Sequence, residues 1–215
     1  MDDLLSGLDA VRTTEPIGAG AVVLRAMVRP AAAALVAEVE RIRAVAPFRH
    51  LVTPGGHRMS VAMTNCGPLG WVSSHTGYRY QESDPDSGQR WPAMPAAFRA
   101  LAGQAAAEAG YPGFQPDACL INLYEPGARL TLHQDRDERD TGSPIVSVSL
   151  GLPAVFLFGG LRRTDKPRRI RVENGDVVVW GGPSRLAFHG VEALADGSHS
   201  VTGRSRINLT FRRAG

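Results

Sequence analysis

The second half of the chain is a series of short apolar runs separated by turn signals, and this pattern most narrows the possible folds. The runs, from about residue 118 onward, are ACLINLY, RLTLHQD, IVSVSLGL, AVFLFG, RRIRV, DVVVWG, RLAFHGV and RINLTFRR. Turn signals such as EPG, GLP and the Asn174–Gly175 pair separate them, and Asn-Gly is a strong hairpin signal. So many short strands in one block predict a double β-sheet of the jelly-roll type.

The first half of the chain contains two helical patterns and a loop-rich segment. Residues 31–46 follow Pro30 with apolar side chains at helical spacing, and residues 94–110 repeat this pattern and end in Gly110. Residues 51–93 are rich in Gly, Pro, Ser and Asn, which is typical of short strands and functional loops. We therefore predict an α+β fold, a jelly-roll (double-stranded β-helix) core with N-terminal flanking helices packed on its outside.

Length and composition indicate one globular domain. The chain has 215 residues, of which 43% are hydrophobic and 21% charged, enough for a sizeable core. Cys66 and Cys119 lack CxxC spacing, which favours two buried reduced thiols over a disulfide or a thiolate zinc site. The acidic start has no signal-peptide pattern, and no run of about 18 apolar residues follows. We therefore expect a cytoplasmic monomer with no membrane partner.

The basic residues are concentrated in one segment. Residues 161–171 contain six lysines and arginines beside a single acid, although the net charge of the whole chain is only +3. A modest excess of this kind permits an anionic partner without requiring one. The segment alone fits either a solvated hairpin rim or a surface that contacts an anion.

A histidine and an aspartate two residues apart follow a strand-like run in LTLHQDRDERD, residues 130–140. Residues i and i+2 of a strand project from one face about 6.6 Å apart, so His133 and Asp135 can reach one point. A lone HxD motif is common, but His189 at the end of PSRLAFHG supplies a second imidazole. Two imidazoles and one carboxylate are the ligands of non-haem Fe(II) oxygenases. A strand-end histidine that donates to a carbonyl is the alternative for His189.

The C-terminal run RINLTFR alternates polar and apolar residues, so its polar face would line the barrel interior. The polar positions are Arg206, Asn208, Thr210 and Arg212. A buried arginine is unfavourable unless a carboxylate meets it, and a bound dicarboxylate would supply one. Asn122 and Tyr124 on the run LINLYEPG could complete such a pocket. Arg206 and Arg212 are about 20 Å apart on an ideal strand, so they cannot both bind one end of a small acid. An exposed amphipathic edge strand is the alternative.

Together these motifs resemble the AlkB family of Fe(II)- and 2-oxoglutarate-dependent nucleic-acid dealkylases. The resemblance covers nearly everything after the first few dozen residues, through MSVAMTNCG, WPAMP, FQPDACLINLYEPG, LHQDRDE, PIVSVSLGLPAVFLFGGLRR, GDVVVWGGPSRLAFHG and RINLTFR. It implies oxidative removal of alkyl groups from bases of the 1-methyladenine and 3-methylcytosine type, in DNA and also in RNA. It also implies a single domain, residues 1–215, with helices and a nucleotide-recognition segment in 1–117 and the dioxygenase core in 118–215.

The resemblance implies a role for individual residues. The ligands of Fe(II) would be His133, Asp135 and His189. The co-substrate 2-oxoglutarate, which is consumed with O2, would be bound by Asn122, Tyr124, Arg206, Asn208 and Arg212, with its distal carboxylate on Arg206. The substrate side would include Trp71, Tyr78, Tyr80, Asp137 and Arg163. No catalytic residue beyond the metal ligands is implied.

The implied substrate explains some of the surrounding residues. An alkylated base has to be flipped out of a duplex or presented on a single strand, where Trp71 could stack on it. Ring alkylation leaves the base cationic, which a carboxylate at Asp137 would favour. Isolated aromatic residues are more often part of a core, and Glu138 and Asp140 fit either solvated loop acids or supports of the histidines. His57 follows VTPGG where well-known bacterial members carry tyrosine, a departure that bears on local backbone contact or base preference rather than on the reaction.

Two other classes of protein remain open from the residues alone. A zinc-dependent jelly-roll hydrolase could use the same two histidines and aspartate, but it would have no use for the RxNxxxR strand. A non-catalytic nucleic-acid-binding barrel would use the arginines and aromatic residues, yet it would tolerate loss of His133. Oxygen dependence separates the first class from a dioxygenase.

Overall fold

The computed structural model describes residues 12–215, so most of the acidic N-terminal stretch considered for a signal peptide lies outside the described residues. Two α-helices, α1 (Ala32–Val45) and α2 (Ala96–Glu108), confirm both predicted helices. Short 3-10 turns occur at Arg29–Ala31 and Gly182–Ser184. In the described part of the chain, no helix is long and apolar enough to cross a membrane.

The strands of the described residues include every run predicted after residue 118, most of them slightly shorter than predicted. They are β1 (Thr14–Gly18), β2 (Ala21–Leu24), β3 (Arg49–Val52), β4 (Arg58–Cys66), β5 (Gly70–Ser74), β6 (Gly77–Gln81), β7 (Ala118–Tyr124), β8 (Leu130–His133), β9 (Ile145–Gly151), β10 (Ala154–Phe158), β11 (Arg168–Val172), β12 (Val177–Trp180), β13 (His189–Val191) and β14 (Arg206–Arg212). The largest difference is β13, which occupies only the last three residues of RLAFHGV because the 3-10 turn and its C-cap Arg185 precede it.

Two sheets form the core of the molecule, as the jelly-roll prediction requires. The large sheet has the order β1-β2-β12-β9-β14-β7-β4-β3, the small one has the order β11-β10-β13-β8, and β5 pairs with β6 separately. Strands β1 to β4 belong to the large sheet although they precede residue 118. The sheet therefore crosses the predicted boundary at residue 117, and the division of the single domain stays a prediction.

The apolar residues form two layers, one on each face of the large sheet. The first lies between this sheet and the helices and includes Leu35, Phe98 and Phe211. The second lies between the two sheets and includes Phe156 and Trp180. Burying both faces of the sheet is the main stabilising contribution, at roughly 25 cal/mol per Å² of apolar surface.

Strand β14 lies at the centre of the large sheet, between β9 and β7. Its apolar residues Ile207, Leu209 and Phe211 belong to the helix-side layer. Arg206 and Arg212 on the alternate face are buried. The predicted alternation is confirmed, and the exposed edge strand is wrong.

The Asn174–Gly175 turn forms, with φ of 89° at Gly175, but it does not make the predicted hairpin. It connects β11 of the small sheet to β12 of the large sheet. The turn contacts neighbouring segments, because Gly175 accepts a hydrogen bond from Val28 N (3.0 Å) and donates one to Ser149 O (2.8 Å). A Cβ at residue 175 would lie 2.5 Å from the main-chain nitrogen of Arg29, so this approach requires glycine.

Cys66 and Cys119 lie directly opposite each other on β4 and β7, and both are buried free thiols, as predicted. Burial raises the pKa of the Cys119 thiol well above its usual range, and the neighbouring Cys66 adds to the shift. Both side chains therefore pack as small apolar groups in the helix-side layer.

Candidate metal and co-substrate site

Three candidate metal ligands converge where β8 and β13 pair. His133 and His189 occupy opposite positions of these antiparallel strands. Asp135 follows two residues after β8 ends at His133, so the prediction that it shares a strand with His133 is wrong. One ligand atom from each of the three residues lies within 4.8 Å of the others, and Nε2 of each imidazole is 3.7 Å from an oxygen of Asp135. The three side chains are thus close enough to bind one ion.

Main-chain carbonyls orient both imidazoles. Nδ1 of His133 is 2.8 Å from Thr131 O, and Nδ1 of His189 is 3.0 Å from Ala187 O. A carbonyl can only accept, so each Nδ1 carries the proton and each Nε2 presents a lone pair towards Asp135. The alternative considered for His189, donation to a carbonyl, therefore occurs together with metal-ligand geometry rather than in place of it.

The protonation states of His189 and Asp135 suit a metal. Burial lowers the pKa of His189 to about 4, and the neighbouring His133 adds to this effect. His189 is therefore neutral at pH 7. Burial alone would raise the pKa of Asp135, but the attraction of Arg212 outweighs it and holds the pKa below its usual range. Neutral imidazole and ionised carboxylate are the forms that ligate a metal.

Arg212 holds the carboxylate of Asp135. Its Nε donates to Asp135 Oδ2 at 2.9 Å and lies 3.3 Å from Glu138 Oε1. Burial opposes the charge of Arg212, but Asp135, Tyr80 and Glu138 raise its pKa above the usual value. Glu138 is buried and accepts a hydrogen bond from Tyr80 Oη at 2.6 Å, so of the two interpretations of this acid, the solvated one is wrong.

Arg206, at the opposite end of β14, lacks such a partner. The residue is 2% exposed, and its Nη2 donates to Ser149 Oγ at 2.9 Å. Its Nε and Nη1 are buried with no hydrogen-bond partner, and its guanidinium carbon lies 4.9 Å from the centre of the Tyr124 ring. Burial lowers the pKa of Arg206. A buried cation with two unused donors fits the carboxylate of a dicarboxylic acid.

A polar network lies between the two arginines. Asn208 donates from Nδ2 to Ser147 Oγ (2.8 Å) and to Val148 O (2.9 Å). Its Oδ1 accepts from Thr210 Oγ1 at 2.8 Å and from Asn122 Nδ2 at 3.3 Å. Asn122 Oδ1 is buried without a partner. Asn208 therefore connects neighbouring strands through its side chain, whereas Asn122 keeps an unused acceptor in the interior. Contact of either residue with 2-oxoglutarate stays a prediction.

The predicted base-binding aromatic residues lie on the β5–β6 hairpin. The rings of Trp71 and Tyr78 stack with centroids 5.3 Å apart and 17° between their planes. Tyr78 is 45% exposed, so the core alternative is wrong for this residue, whereas Trp71 is partly buried and packs against the apolar layer between the two sheets. Trp71 Nε1 donates to Asp137 Oδ2 at 3.0 Å, which joins the hairpin to the segment that contains Asp135.

The basic segment 161–171 is largely exposed. Arg162, Arg169 and Arg171 pair with acids at the surface, which supports the solvated rim for part of it. The guanidinium of Arg163 lies 5.9 Å from the centre of the ring of Phe188, the neighbour of His189. Exposed His57 lies in the turn between β3 and β4, where its N–H donates to Thr53 Oγ1.

Some residues of the site were not predicted. Ser147 and Ser149 face the same interior as Asn208, and their alternation with valine in IVSVSLGL could have located them. Arg185 is buried and contacts Asp135 and Glu138. An arginine within the otherwise apolar run before His189 was its only signal.

The comparisons with known proteins agree with this geometry. The model of the 2OG-Fe(II) oxygenase superfamily matches residues 20–212. Alpha-ketoglutarate-dependent dioxygenase AlkB of Escherichia coli (strain K12) is 56% identical over 207 residues, which are 96% of each chain. The chain belongs to the AlkB family of 2OG-Fe(II) oxygenases. A second family member, the AlkB homolog of Caulobacter vibrioides, is 51% identical over 79% of this chain and 76% of its own.

The solved structure of OsALKBH1 shares the fold, with a TM-score of 0.84 and 28% identity over 94% of this chain and all of that one. As a family member the chain is an Fe(II)- and 2-oxoglutarate-dependent dioxygenase that uses O2. The zinc hydrolase and the non-catalytic barrel are not favoured.

Proposed function

We propose that this AlkB-family member removes alkyl groups from bases of the 1-methyladenine and 3-methylcytosine type in DNA and RNA. Its relatives include proteins named nucleic acid dioxygenase ALKBH1 (Homo sapiens) and DNA N(6)-methyladenine demethylase ALKBH1C (Arabidopsis thaliana). The observation that carries the proposal is the hydrogen bond between Trp71 and Asp137, since it joins a partly exposed aromatic stack to a residue two positions from the candidate ligand Asp135. In the reaction, O2 oxidises the N-alkyl carbon and 2-oxoglutarate together, giving formaldehyde, succinate, carbon dioxide and the restored base.

In this proposal His133, Asp135 and His189 hold Fe(II), which when bound supplies the oxidising chemistry by activating O2. The residues themselves fix its position. The Thr131 and Ala187 carbonyls hold the imidazoles in the tautomer that presents Nε2. Three protein ligands leave other coordination positions for 2-oxoglutarate and O2.

The co-substrate would be oriented by the interior face of β14 and its neighbour β7. Arg206 receives the distal carboxylate because its two unused donors have no protein acceptor. Tyr124, opposite Arg206 in register, covers the guanidinium and limits access of water. Asn122 and Asn208 line the path between, and Arg212 fixes Asp135 at the metal end.

On the substrate side, Trp71 and Tyr78 offer planar faces on which a flipped base can stack. Asp137 favours a base that alkylation has made cationic, and its bond to Trp71 keeps the carboxylate and the stacking surface in fixed relation. Tyr80 holds the β5–β6 hairpin to the ligand segment through its hydrogen bond to Glu138. Arg163 lies beside Phe188, the neighbour of His189.

Formaldehyde release from a methylated single-stranded oligonucleotide tests the proposal. We expect release with Fe(II), 2-oxoglutarate and O2 all present, and none when any one is omitted or when the oligonucleotide is unmethylated. Zn(II) in place of Fe(II) should give no product. Release that persists without 2-oxoglutarate or O2 would contradict oxidative dealkylation.

We further propose that the chain acts as one domain, as a monomer and in the cytoplasm. The large sheet contains strands from both ends of the described chain, β1 and β14, which supports a single domain. Light scattering at the concentration used for the assay measures the second, and fractionation of cells that express the protein measures the third.

A further inference from the structure

Arg185 is a buried arginine outside the assigned site residues, and all three of its guanidinium nitrogens have partners. Its side chain is only 4% exposed. Nε donates to Ser143 O at 2.9 Å, Nη1 donates to Asp135 O at 2.7 Å, and Nη2 donates to Glu138 Oε2 at 3.1 Å. A planar guanidinium that satisfies three separate acceptors is fixed in orientation as well as in position.

The three partners all belong to one segment, the ligand loop, which we define as residues 134–144 between β8 and β9. This loop contains the candidate ligand Asp135 but has neither helix nor strand of its own. It is held instead by hydrogen bonds to other segments, among them the bond from Arg139 N to Ala214 O at 3.0 Å. The position of Asp135 therefore depends on these hydrogen bonds rather than on the pairing of strands.

Two arginines hold Asp135 at different points. Arg212 binds the carboxylate, and Arg185 binds the main-chain carbonyl. A bond to the carboxylate alone leaves the backbone of a loop residue free to shift, and a metal ligand has to be held within about 0.5 Å of its working position. Fixing the carbonyl removes that freedom.

Arg185 also connects the ligand loop to the other ligand-bearing segment. It lies four residues before His189, and the intervening Ala187 carbonyl orients the His189 imidazole. One side chain thus spans from the segment of His189 to the main chain of Asp135. We propose that Arg185 is a positioning residue that sets the distance between these two metal ligands, an inference that rests on the proposed assignment of His133, Asp135 and His189 to the metal.

Arg185→Lys is the informative variant, because lysine keeps the charge beside Glu138 but cannot donate in three fixed directions. Mn(II) replaces Fe(II) as a probe that does not turn over in air, and its dissociation constant is measured from the free-ion signal in electron paramagnetic resonance. We expect Arg185→Lys to bind Mn(II) about 10- to 100-fold more weakly than the parent, as is usual when an outer partner of a ligand is lost.

The matched control is Arg25→Lys. Arg25 also donates to a main-chain carbonyl, Arg171 O at 2.7 Å, to the buried carboxylate of Asp176 at 2.7 Å, and from Nε to Glu15 at 3.1 Å. It lies near the end of β12 that is remote from the site, since Leu24 pairs with Val177 whereas Trp180 contacts His189. This control loses a similar set of bonds at a more exposed arginine, so it should lose some thermal stability and keep the parent affinity for Mn(II).

The outcomes separate the inference from the metal assignment beneath it. If Asp135→Ala binds Mn(II) as the parent does, the proposed ligands are wrong. If Asp135→Ala loses Mn(II) while folded Arg185→Lys keeps it, or if the control weakens equally, the positioning role of Arg185 alone is wrong. Should Arg185→Lys not fold, Arg185→Gln, which keeps one donor near the position of Nε but cannot reach Asp135 O, is judged by the same affinities.

Discussion

Arg206 and Arg212 lie on the same interior face of β14, and both are almost fully buried, yet their surroundings are opposite. Arg212 is paired with the carboxylates of Asp135 and Glu138. Arg206 has one neutral partner, Ser149 Oγ, and two nitrogens with none. Burial acts against both charges, but the acids raise the pKa of Arg212, whereas the pKa of Arg206 is lowered.

The fold balances the charge of Arg212 by itself but not that of Arg206, and this difference supports the proposal that Arg206 binds a ligand. A buried pair with good geometry is held firmly, and removal of one member leaves an uncompensated charge. A buried arginine without an acid destabilises the folded chain until an anion binds. Arg212 therefore stabilises the folded site around Asp135, and the unpaired Arg206 is the residue that we propose binds the carboxylate of the co-substrate.

The largest expected effect comes from Asp135→Ala, which would make Arg212 resemble Arg206 by removing its main partner. We expect 2-oxoglutarate turnover to be abolished and the free energy of unfolding to fall by about 3–5 kcal/mol. Release of labelled carbon dioxide and denaturant unfolding measure the two effects. Asp140→Asn in the same loop is the control, since an amide can still accept from Gly142 N. A folded Asp135→Ala variant with near-parent turnover contradicts the assignment.

The stability of two methionine variants tests whether Arg212 is paired within the fold and Arg206 is not. Arg212→Met should lower the free energy of unfolding by about 3–5 kcal/mol, because Asp135 and Glu138 lose their common partner. Arg206→Met should leave it unchanged or raise it, because an unpaired buried charge is replaced by an apolar chain of similar length. Both are measured by chemical denaturation without 2-oxoglutarate. Equal losses would mean that the two arginines do not differ.

Arg206→Ala should raise the 2-oxoglutarate requirement tens- to thousands-fold, since losing one member of a buried charge pair costs of order 2–5 kcal/mol. The KM for 2-oxoglutarate at saturating Fe(II) measures this, and the dependence on Fe(II) should not change. Arg206→Lys keeps the charge but loses the planar fork, and we expect an intermediate value. An unchanged KM in a folded Arg206→Ala variant rules out the role.

The smallest expected effect is at Trp71, which lies on β5 rather than on β14. Its connection to the surroundings of the two arginines is the hydrogen bond to Asp137 of the ligand loop. Trp71→Ala should weaken binding to alkylated single strands by roughly 1–3 kcal/mol, about five- to 150-fold. Decarboxylation without oligonucleotide should persist. The thermal midpoint is the control, because truncation of a core tryptophan would lose about 3–5 kcal/mol of stability. A stable variant with undiminished repair contradicts stacking.

Patterns of period predicted much of this molecule. The alternation in RINLTFR predicted which side chains enter the barrel, and helical spacing predicted α1 and α2 within two residues. The pairing of β14 with β7 set Asn122 opposite Asn208, as expected for a shared pocket.

Long-range contacts of irregular segments could not be predicted in this way. No periodicity relates the ligand loop to Arg185, about 50 residues away in sequence, or Tyr80 to Glu138. For the same reason the Asn174–Gly175 pair predicted a turn correctly but the wrong partner strands. Local turn chemistry does not determine which sheet the chain enters next.

The central claim, that Arg206 is reserved for the distal carboxylate of 2-oxoglutarate, is tested most directly by removing that carboxylate from the ligand. Binding of 2-oxoglutarate and of 2-oxobutyrate, which lacks the distal group, is measured by calorimetry on the Mn(II)-loaded parent and on Arg206→Ala. We predict that the parent prefers 2-oxoglutarate by tens- to thousands-fold and that Arg206→Ala loses this preference while binding 2-oxobutyrate as the parent does. A folded Arg206→Ala variant that keeps the full preference for 2-oxoglutarate would contradict the account.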